Sequence, residues 1–292
     1  MVREWRLARR SLSYGGRTLV MGVLNVTPDS FSDGGRFLDA GRAAERAAQM
    51  VEEGADIIDV GGESTRPGGA PITAREELAR VLPVLEALAG RIGVPLSVDT
   101  TKREVARAAL AAGAEIVNDI SGLRFDAALA DETASANAGL VLMHSRGKAA
   151  TLHAQPPVTE IMTEVVGNLR RAVEEAERRG VARAALALDP GFGFGKSFEQ
   201  NLELLARLDR LAAEFTDFPL LVGTSRKSFI GRILGGAPPE ERLHGTNATI
   251  AVAILHGAHL VRVHDVRSAV ETARVVDAIK EAASEKVFGD GR

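Results

Sequence analysis

The chain has 292 residues, 45% of them hydrophobic and 26% charged, proportions of a soluble globular protein with a large core. A net charge of −3 gives no case for a nucleic-acid or anionic-membrane partner, no apolar run reaches the length of a membrane span, and the N-terminus Met1–Arg6 lacks the apolar core of a secretory leader. Cysteine is absent, which excludes disulfides and thiolate chemistry and fits a cytoplasmic location.

Residues 3–20, with Tyr14-Gly15-Gly16-Arg17 as a turn, predict a small hairpin. Eight aliphatic runs make up the rest of the pattern, each ending on a polar residue suited to binding or catalysis. Val23-Leu24 stops at Asn25. Ala40, Ala44, Ala47 and Val51 then form an apolar stripe at helical spacing, which Gly54 ends. Ile57-Ile58-Asp59-Val60 runs into Gly61–Arg66, and Leu96-Ser97-Val98 stops at Asp99. Ile116-Val117 stops at Asn118-Asp119, Leu140–Met143 at His144, and Ala187-Leu188 at Asp189. Leu220–Val222 leads into Gly223–Lys227, and Leu260–Val263 into His264-Asp265. Helices are predicted over 102–112, 127–138, 158–179, 198–214 and 267–283, with a broken pair at 227–234 and 246–257. Thr73-x-x-Glu76, Thr101-x-x-Glu104, Ser197-x-x-Gln200 and Ser268-x-x-Glu271 match capping boxes that would open helices.

The runs are aliphatic at nearly every position rather than alternating, as in a parallel sheet covered on both faces. Eight βα units in about 270 residues predict a (β/α)8 TIM barrel, class α/β. A doubly wound open sheet is the rival, and the count of eight favours the barrel. The N-terminal hairpin (1–20) would lie across the bottom of the barrel, and 287–292 would be a frayed tail. No linker divides the chain, so 1–292 reads as a single domain.

In a barrel, residues at the C-terminal strand ends meet at one mouth. Asp99, Asn118 and Asp189 offer two acceptor-only carboxylates and one amide, a set suited to a heterocycle with adjacent N–H donors. Each could instead cap a helix, and the three could hold a divalent metal. The segment Asp189-Pro190-Gly191-Phe192-Gly193-Phe194-Gly195-Lys196-Ser197 nearly spells a P-loop, but Pro190 replaces its first glycine and has no N–H to offer. Nucleotide hydrolysis is therefore rejected; the glycines read as bringing backbone close to a flat ligand, with Phe192 or Phe194 as a wall or as core. Thr224–Ser228 opens a helix whose N–H groups, with Arg226 and Lys227, would attract an anion. Arg262 and His264 are two apart on one strand, so both should face the interior. A buried arginine needs an anion, and a phosphorylated ligand fits, with a structural salt bridge as the plain alternative. His153, His244, His256 and His259 read as surface or helix-packing residues. Four of the six lysines, Lys102, Lys148, Lys196 and Lys227, fall just after a predicted strand.

Val23-Leu24-Asn25-Val26-Thr27-Pro28-Asp29-Ser30-Phe31-Ser32-Asp33-Gly34-Gly35 and Asp59–Gly68 resemble the two signatures of the dihydropteroate synthase family. Ser97–Thr100, Asn118–Ile120, Asp189–Lys196, Ser225–Ser228 and Arg262–Asp265 continue the match in family order. The resemblance implies a cytoplasmic (β/α)8 transferase of folate synthesis, commonly a homodimer. Such an enzyme joins 6-hydroxymethyl-7,8-dihydropterin diphosphate to 4-aminobenzoate, giving 7,8-dihydropteroate and diphosphate. By motif, Asp99, Asn118 and Asp189 would hold the pterin, with Met143 against it and Lys227 near its carbonyl. Asn25, Arg262 and His264 would bind the diphosphate, Asn25 through Mg2+. Thr65, Arg66 and Pro67 would help form the aminobenzoate pocket, with Thr65 also near the pterin diphosphate. Phe194, Lys227 and Ser228 would line that pocket's other side, and Phe31 would close over it. After His144 the family continues with Met, Gln or Arg, Gly and Pro, whereas this chain has Ser145-Arg146-Gly147-Lys148.

The implied chemistry is an SN1-like displacement in which Asp99, Lys227, Arg262 and His264 act by placement and charge. Three rivals share parts of the pattern. A methyltetrahydrofolate-type corrinoid methyltransferase would use the pterin residues but has no need of Arg262 or His264. A non-catalytic pterin-binding paralogue would not need the intact set Asn25, Thr65, Lys227, Arg262 and His264. A Schiff-base aldolase would use Lys227 alone.

Overall fold

The computed structural model describes residues 2–27, 36–64, 71–148, 151–152 and 155–285. Strand β1 (Arg3–Arg6) pairs antiparallel with β2 (Ser11–Tyr14). The turn of this hairpin is at Leu7–Arg10, where the Leu7 N–H donates to Arg10 O at 2.8 Å. The expected turn at Tyr14–Arg17 is instead the link that carries the chain into the barrel, because Tyr14 is already paired with Arg3.

The barrel then builds in chain order: β3 (Leu19–Asn25), α1 (Arg36–Glu52), β4 (Ile57–Gly61), α2 (Ala74–Leu88), β5 (Leu96–Asp99), α3 (Arg103–Ala111), β6 (Ile116–Asp119), α4 (Leu129–Ser135) and β7 (Gly139–Met143). It continues through α5 (Ile161–Arg178), β8 (Leu186–Asp189), α6 (Phe198–Ala206), α7 (Leu208–Glu214), β9 (Leu221–Val222), α8 (Ser228–Ile233), α9 (Leu243–Leu255), β10 (Leu260–Val263) and α10 (Val266–Glu285). All neighbouring pairs from β3 to β8 are parallel, and β10 lies between β3 and β9. The ring closes between β8 and β9 through one parallel bridge, Leu188 to Leu220, with the Leu188 N–H donating to Pro219 O at 3.0 Å. Closure rules out the open doubly wound sheet.

Two of the four capping boxes are real. Thr73 and Ser197 each accept from the N3 backbone while Glu76 and Gln200 reach back. The Thr101 box is not formed: the Thr100 hydroxyl takes the Lys102 N–H at 3.2 Å, and α3 begins after an uncapped Lys102. Ser268 lies inside α10, where it accepts from Asn247 at 2.7 Å; the Ala269 N–H bonds Asp265 O, one turn earlier than the box would require. The predicted helix 198–214 breaks at Arg207 into two. On α1 the fully buried stripe is Ala40, Ala43, Ala47 and Met50, so the expected Ala44 and Val51 sit at its margin.

Parity along the strands decides what the barrel contains, because alternate residues face its axis. Leu19, Met21, Ile57, Ile116, Val141, Ala187, Leu221 and Leu260 form one cluster with Trp5, Leu7 and Tyr14 of the hairpin. The hairpin thus plugs the bottom, and the Trp5 indole N–H donates to Ala185 O at 2.9 Å. Counting upward by twos from that floor reaches Asn25, Asp59, Gly61, Ser97, Asp99, Asn118, Met143, Asp189, Gly223, Arg262 and His264. Residues of the other parity, including Val60, Val98, Val117, Leu142 and Leu188, pack outward against the helices.

Candidate active site

The same parity sorts the polar strand ends. Asp119 and His144 belong to the outward set. The Asp119 carboxylate accepts from the Ser121 and Leu123 N–H groups at 2.8 and 2.6 Å, and so shapes its own loop. His144 Nδ1 lies 2.8 Å from Lys196 Nζ, which also donates to Gly191 O at 2.7 Å. Lys196 is therefore turned into its own loop, in accord with rejecting a P-loop. The glycines serve that loop's packing: Gly191 has φ +69°, and a Cβ there would lie 1.9 Å from His144 O. Only glycine fits.

Inside the barrel Arg262 is the centre of a charged cluster. Its Nε donates to Asp59 at 2.6 Å and its Nη2 to Asp99 at 2.7 Å. The Asn118 amide donates to the same Asp59 oxygen at 3.0 Å, which leaves its carbonyl free to accept. Arg262 is therefore paired, as the salt-bridge alternative expected, with both partners at inward positions of the barrel. Asp59 is fully buried, and its second oxygen has no hydrogen-bond partner among the described residues. In sequence Asp59 looks like part of an aliphatic run, and its parity with Asn25 and Asp99 is the signal that marks it.

Burial pushes the Asp99 carboxyl up to about 7, against the pull of Arg262 and with help from repulsion by Asp59. Asp189 is pushed up to about 6 by burial, opposed by the N–H of Gly191 at 2.7 Å and the charge of Lys227. Lys227 is brought down to about 8 by burial and the neighbouring Arg262. Its Nζ stands 4.0 Å from the centre of the Phe194 ring, which belongs with Met143, Ile120 and Leu152 to a separate apolar cluster. Phe192 is core, packed against Phe229 at 6.4 Å. Ser228 is exposed at the first position of α8.

Two inward positions carry no side chain. A Cβ on Gly61 would lie 3.7 Å from both Asn25 Oδ1 and Asp99 Oδ2, and one on Gly223 would lie 4.0 Å from Asp189 Oδ2. Space is thereby kept between the acceptors. Beside it, His264 lies 3.0 Å from the Ser225 hydroxyl through Nδ1, and burial with Arg262 lowers its pKa to about 3.

Several expectations change here. Arg226, read as an anion ligand, has φ +58° and is bound side-on to Asp265 at 3.1 and 2.7 Å. Lys102 is engaged by Glu63 at 2.5 Å and Glu77 at 2.6 Å, and Lys148 is exposed. His259 accepts from the Leu220 N–H at 3.1 Å and stacks edge-on against Tyr14, a barrel-bottom contact rather than a helix-packing one. Phe31, Thr65, Arg66, Pro67 and His153 lie outside the described residues.

The model of the family described as pterin binding enzyme matches residues 21–264. The dihydropteroate synthase of Escherichia coli K12 is 49% identical over 273 residues, covering 92% of this chain and 94% of that one. A dihydropteroate synthase from Xanthomonas albilineans, solved with 4-aminobenzoic acid, superposes with a TM-score of 0.88 at 43% identity, over 96% of this chain and 99% of that one. One from Burkholderia cenocepacia, complexed with 7,8-dihydropteroate, gives 0.87 at 40% identity, over 98% and 99%. The chain belongs to the pterin-binding enzymes, and within them to the dihydropteroate synthases, transferases of folate biosynthesis.

Proposed function

We infer that the inward strand ends divide among them the condensation of 6-hydroxymethyl-7,8-dihydropterin diphosphate with 4-aminobenzoate. The observation that carries this reading is the single-parity set of acceptors and cations around Arg262. Asp99, Asn118 and Asp189 accept from the pterin's amine and ring N–H groups, with Met143 against its face. Arg262 keeps further N–H donors beyond those given to Asp59 and Asp99, and with His264 it takes the diphosphate. Lys227 stands between, near the pterin carbonyl and above Phe194. Phe194, Lys227 and Ser228 face the aminobenzoate, with Phe31, Thr65, Arg66 and Pro67 supplied by the first two loops and Thr65 also reaching the pterin diphosphate.

Displacement is dissociative. The methylene C–O bond breaks and its electron pair leaves with the diphosphate, whose growing charge Arg262 and His264 stabilise. The pterin spreads the positive charge, Asp99 stabilises it, and the aminobenzoate nitrogen then attacks and loses a proton. No protein nucleophile is required.

For Mg2+ the fit rests on donor chemistry. Among the described residues no group of three or more His, Asp or Glu side chains could hold a metal. Asn25 Oδ1, at the end of β3, is the hard neutral oxygen that fits an Mg2+ held mainly by diphosphate oxygens. Bound there, the ion would neutralise charge on the leaving group.

A cytoplasmic homodimer completes the reading. No helix among the described residues is long and apolar enough to cross a membrane. Val252 and Leu255 on α9, with Val275 and Ile279 on the adjoining α10, are large apolar side chains left exposed.

The test is calorimetric binding of the pterin diphosphate to Asn118→Ala. Loss of this acceptor leaves a pterin donor unpaired and should weaken binding by roughly ten- to a hundredfold. Unchanged affinity would remove Asn118 from the pterin site.

A further inference from the structure

Ser225 lies in the link between β9 and α8 and is 6% exposed. Its Oγ stands 3.0 Å from His264 Nδ1 and accepts from the His264 backbone N–H at 3.3 Å. Those are the two contacts of the hydroxyl among the described residues. The same oxygen thus meets both the main chain and the ring of one histidine, on the neighbouring strand.

The proton positions follow from satisfaction. A buried hydroxyl has one proton to place and two lone pairs to offer. If His264 carried its proton on Nδ1, Ser225 Oγ would accept from both Nδ1 and the backbone N–H. Its own proton would then have no acceptor. With the proton on Nε2 instead, the hydroxyl donates to Nδ1 and accepts from the backbone N–H. The hydroxyl, the backbone N–H and Nδ1 are then all paired, and the ring keeps its N–H as a donor on its far edge. Arg262, two residues earlier and facing the same way, discourages a second proton on the ring.

We infer that Ser225 is a positioning residue that fixes His264 in the Nε2–H form and aims that N–H at the leaving diphosphate. The inference rests on the reading of His264 as a diphosphate ligand, but the tautomer itself does not depend on it. Neutral histidine can offer the leaving group one N–H only, and which nitrogen offers it is set by the partner of the other. Nothing in the run Thr224–Ser228 read as a helix opening marks this role, since the partner lies 39 residues on.

The test uses ligand-free enzyme labelled with 15N-histidine, with His264→Gln identifying the resonances of His264. The wild type should show Nε2 protonated and Nδ1 at the shift of a hydrogen-bonded acceptor. In Ser225→Ala the Nδ1 resonance should move to that of an unbonded acceptor, and Ser225→Thr, which keeps the hydroxyl, should restore it. A proton on Nδ1 in the wild type, or an Nδ1 resonance indifferent to Ser225→Ala, would overturn the inference. In turnover, Ser225→Ala should lower kcat by roughly ten- to a hundredfold, the size of loss seen when a metal-bound histidine loses its orienting partner, with KM for 4-aminobenzoate unchanged and Ser225→Thr restoring kcat. If the Nδ1 shift appears while kcat stays at the wild-type value, the tautomer stands and the diphosphate role of His264 falls.

Discussion

In the proposed pterin site, Asp189 is where stability and binding pull in opposite directions. Its carboxyl is raised from 3.8 to about 6 by burial, so the folded chain holds a proton there that the unfolded chain has released. The resulting stability is present in full below about pH 4 and is lost as pH rises through 6. Pterin recognition has the opposite sign, because the ionised carboxylate is the better acceptor; affinity should rise from pH 5 to pH 8. Asp189→Asn mimics the protonated form and can still accept from the Gly191 N–H. At pH 8 it should unfold with up to about 3 kcal/mol more stability, from a shift of about two pKa units, while binding the pterin poorly. A destabilised variant, or one with wild-type affinity, would show that burial of this charge is not what the site costs. Lys227 and Arg262 differ in the same terms. Lys227→Ala should cut turnover by orders of magnitude with the fold intact. Arg262→Ala leaves Asp59 and Asp99 without their cation in the barrel and should also cost about 3–5 kcal/mol of stability, as removal of one partner from a buried ion pair does. Chemical denaturation of the two variants separates these outcomes.

At the level of elements, what was legible in the sequence depended on whether the signal was local. Strand ends stood out because an aliphatic run stops where the sheet meets solvent and ligand. Inward parity was read only for Arg262 and His264, where two polar residues sat two apart; at Asp59 a single polar residue inside a run looked like filler. Arg226 looks like an anion ligand in sequence because its bond to Asp265 spans two loops that no local pattern joins. The hairpin was foreseen, but two glycines drew its turn to Gly15-Gly16, away from Leu7–Arg10. Capping boxes divide by geometry, since a Thr at the right spacing caps only if the helix starts beside it. Ser197→Ala should therefore cost about 0.5–2 kcal/mol in thermal unfolding, and Thr101→Ala close to nothing. Equal losses would mean that the capped start of α6 is no better than the uncapped start of α3.

The molecule as a whole separates support from chemistry along the barrel axis. Below, Trp5, Leu7 and Tyr14 fill the bottom with apolar contacts. Above, the same inward parity carries carboxylates, an amide, an arginine and a histidine, with Gly61 and Gly223 keeping room between them. This is the usual division in barrel enzymes, whose strand tops carry the reaction. It accords with relatives that match from end to end, because a site drawn from every strand needs the whole ring. In the fifth loop, Ser145-Arg146-Gly147-Lys148 stands where the resemblance leads one to expect Met, Gln or Arg, Gly and Pro. Arg146 holds Gly195 O at 2.9 Å and Pro156 O at 2.7 Å, tying two loops outside the barrel. The most direct test of the account is release of diphosphate by the purified chain from 6-hydroxymethyl-7,8-dihydropterin diphosphate, followed with and without 4-aminobenzoate and with and without Mg2+. Release that requires Mg2+, yields 7,8-dihydropteroate in equal amount, and leaves no covalent pterin on the quenched protein is the predicted result. A pterin–protein adduct, or binding of both substrates without any release, would contradict it.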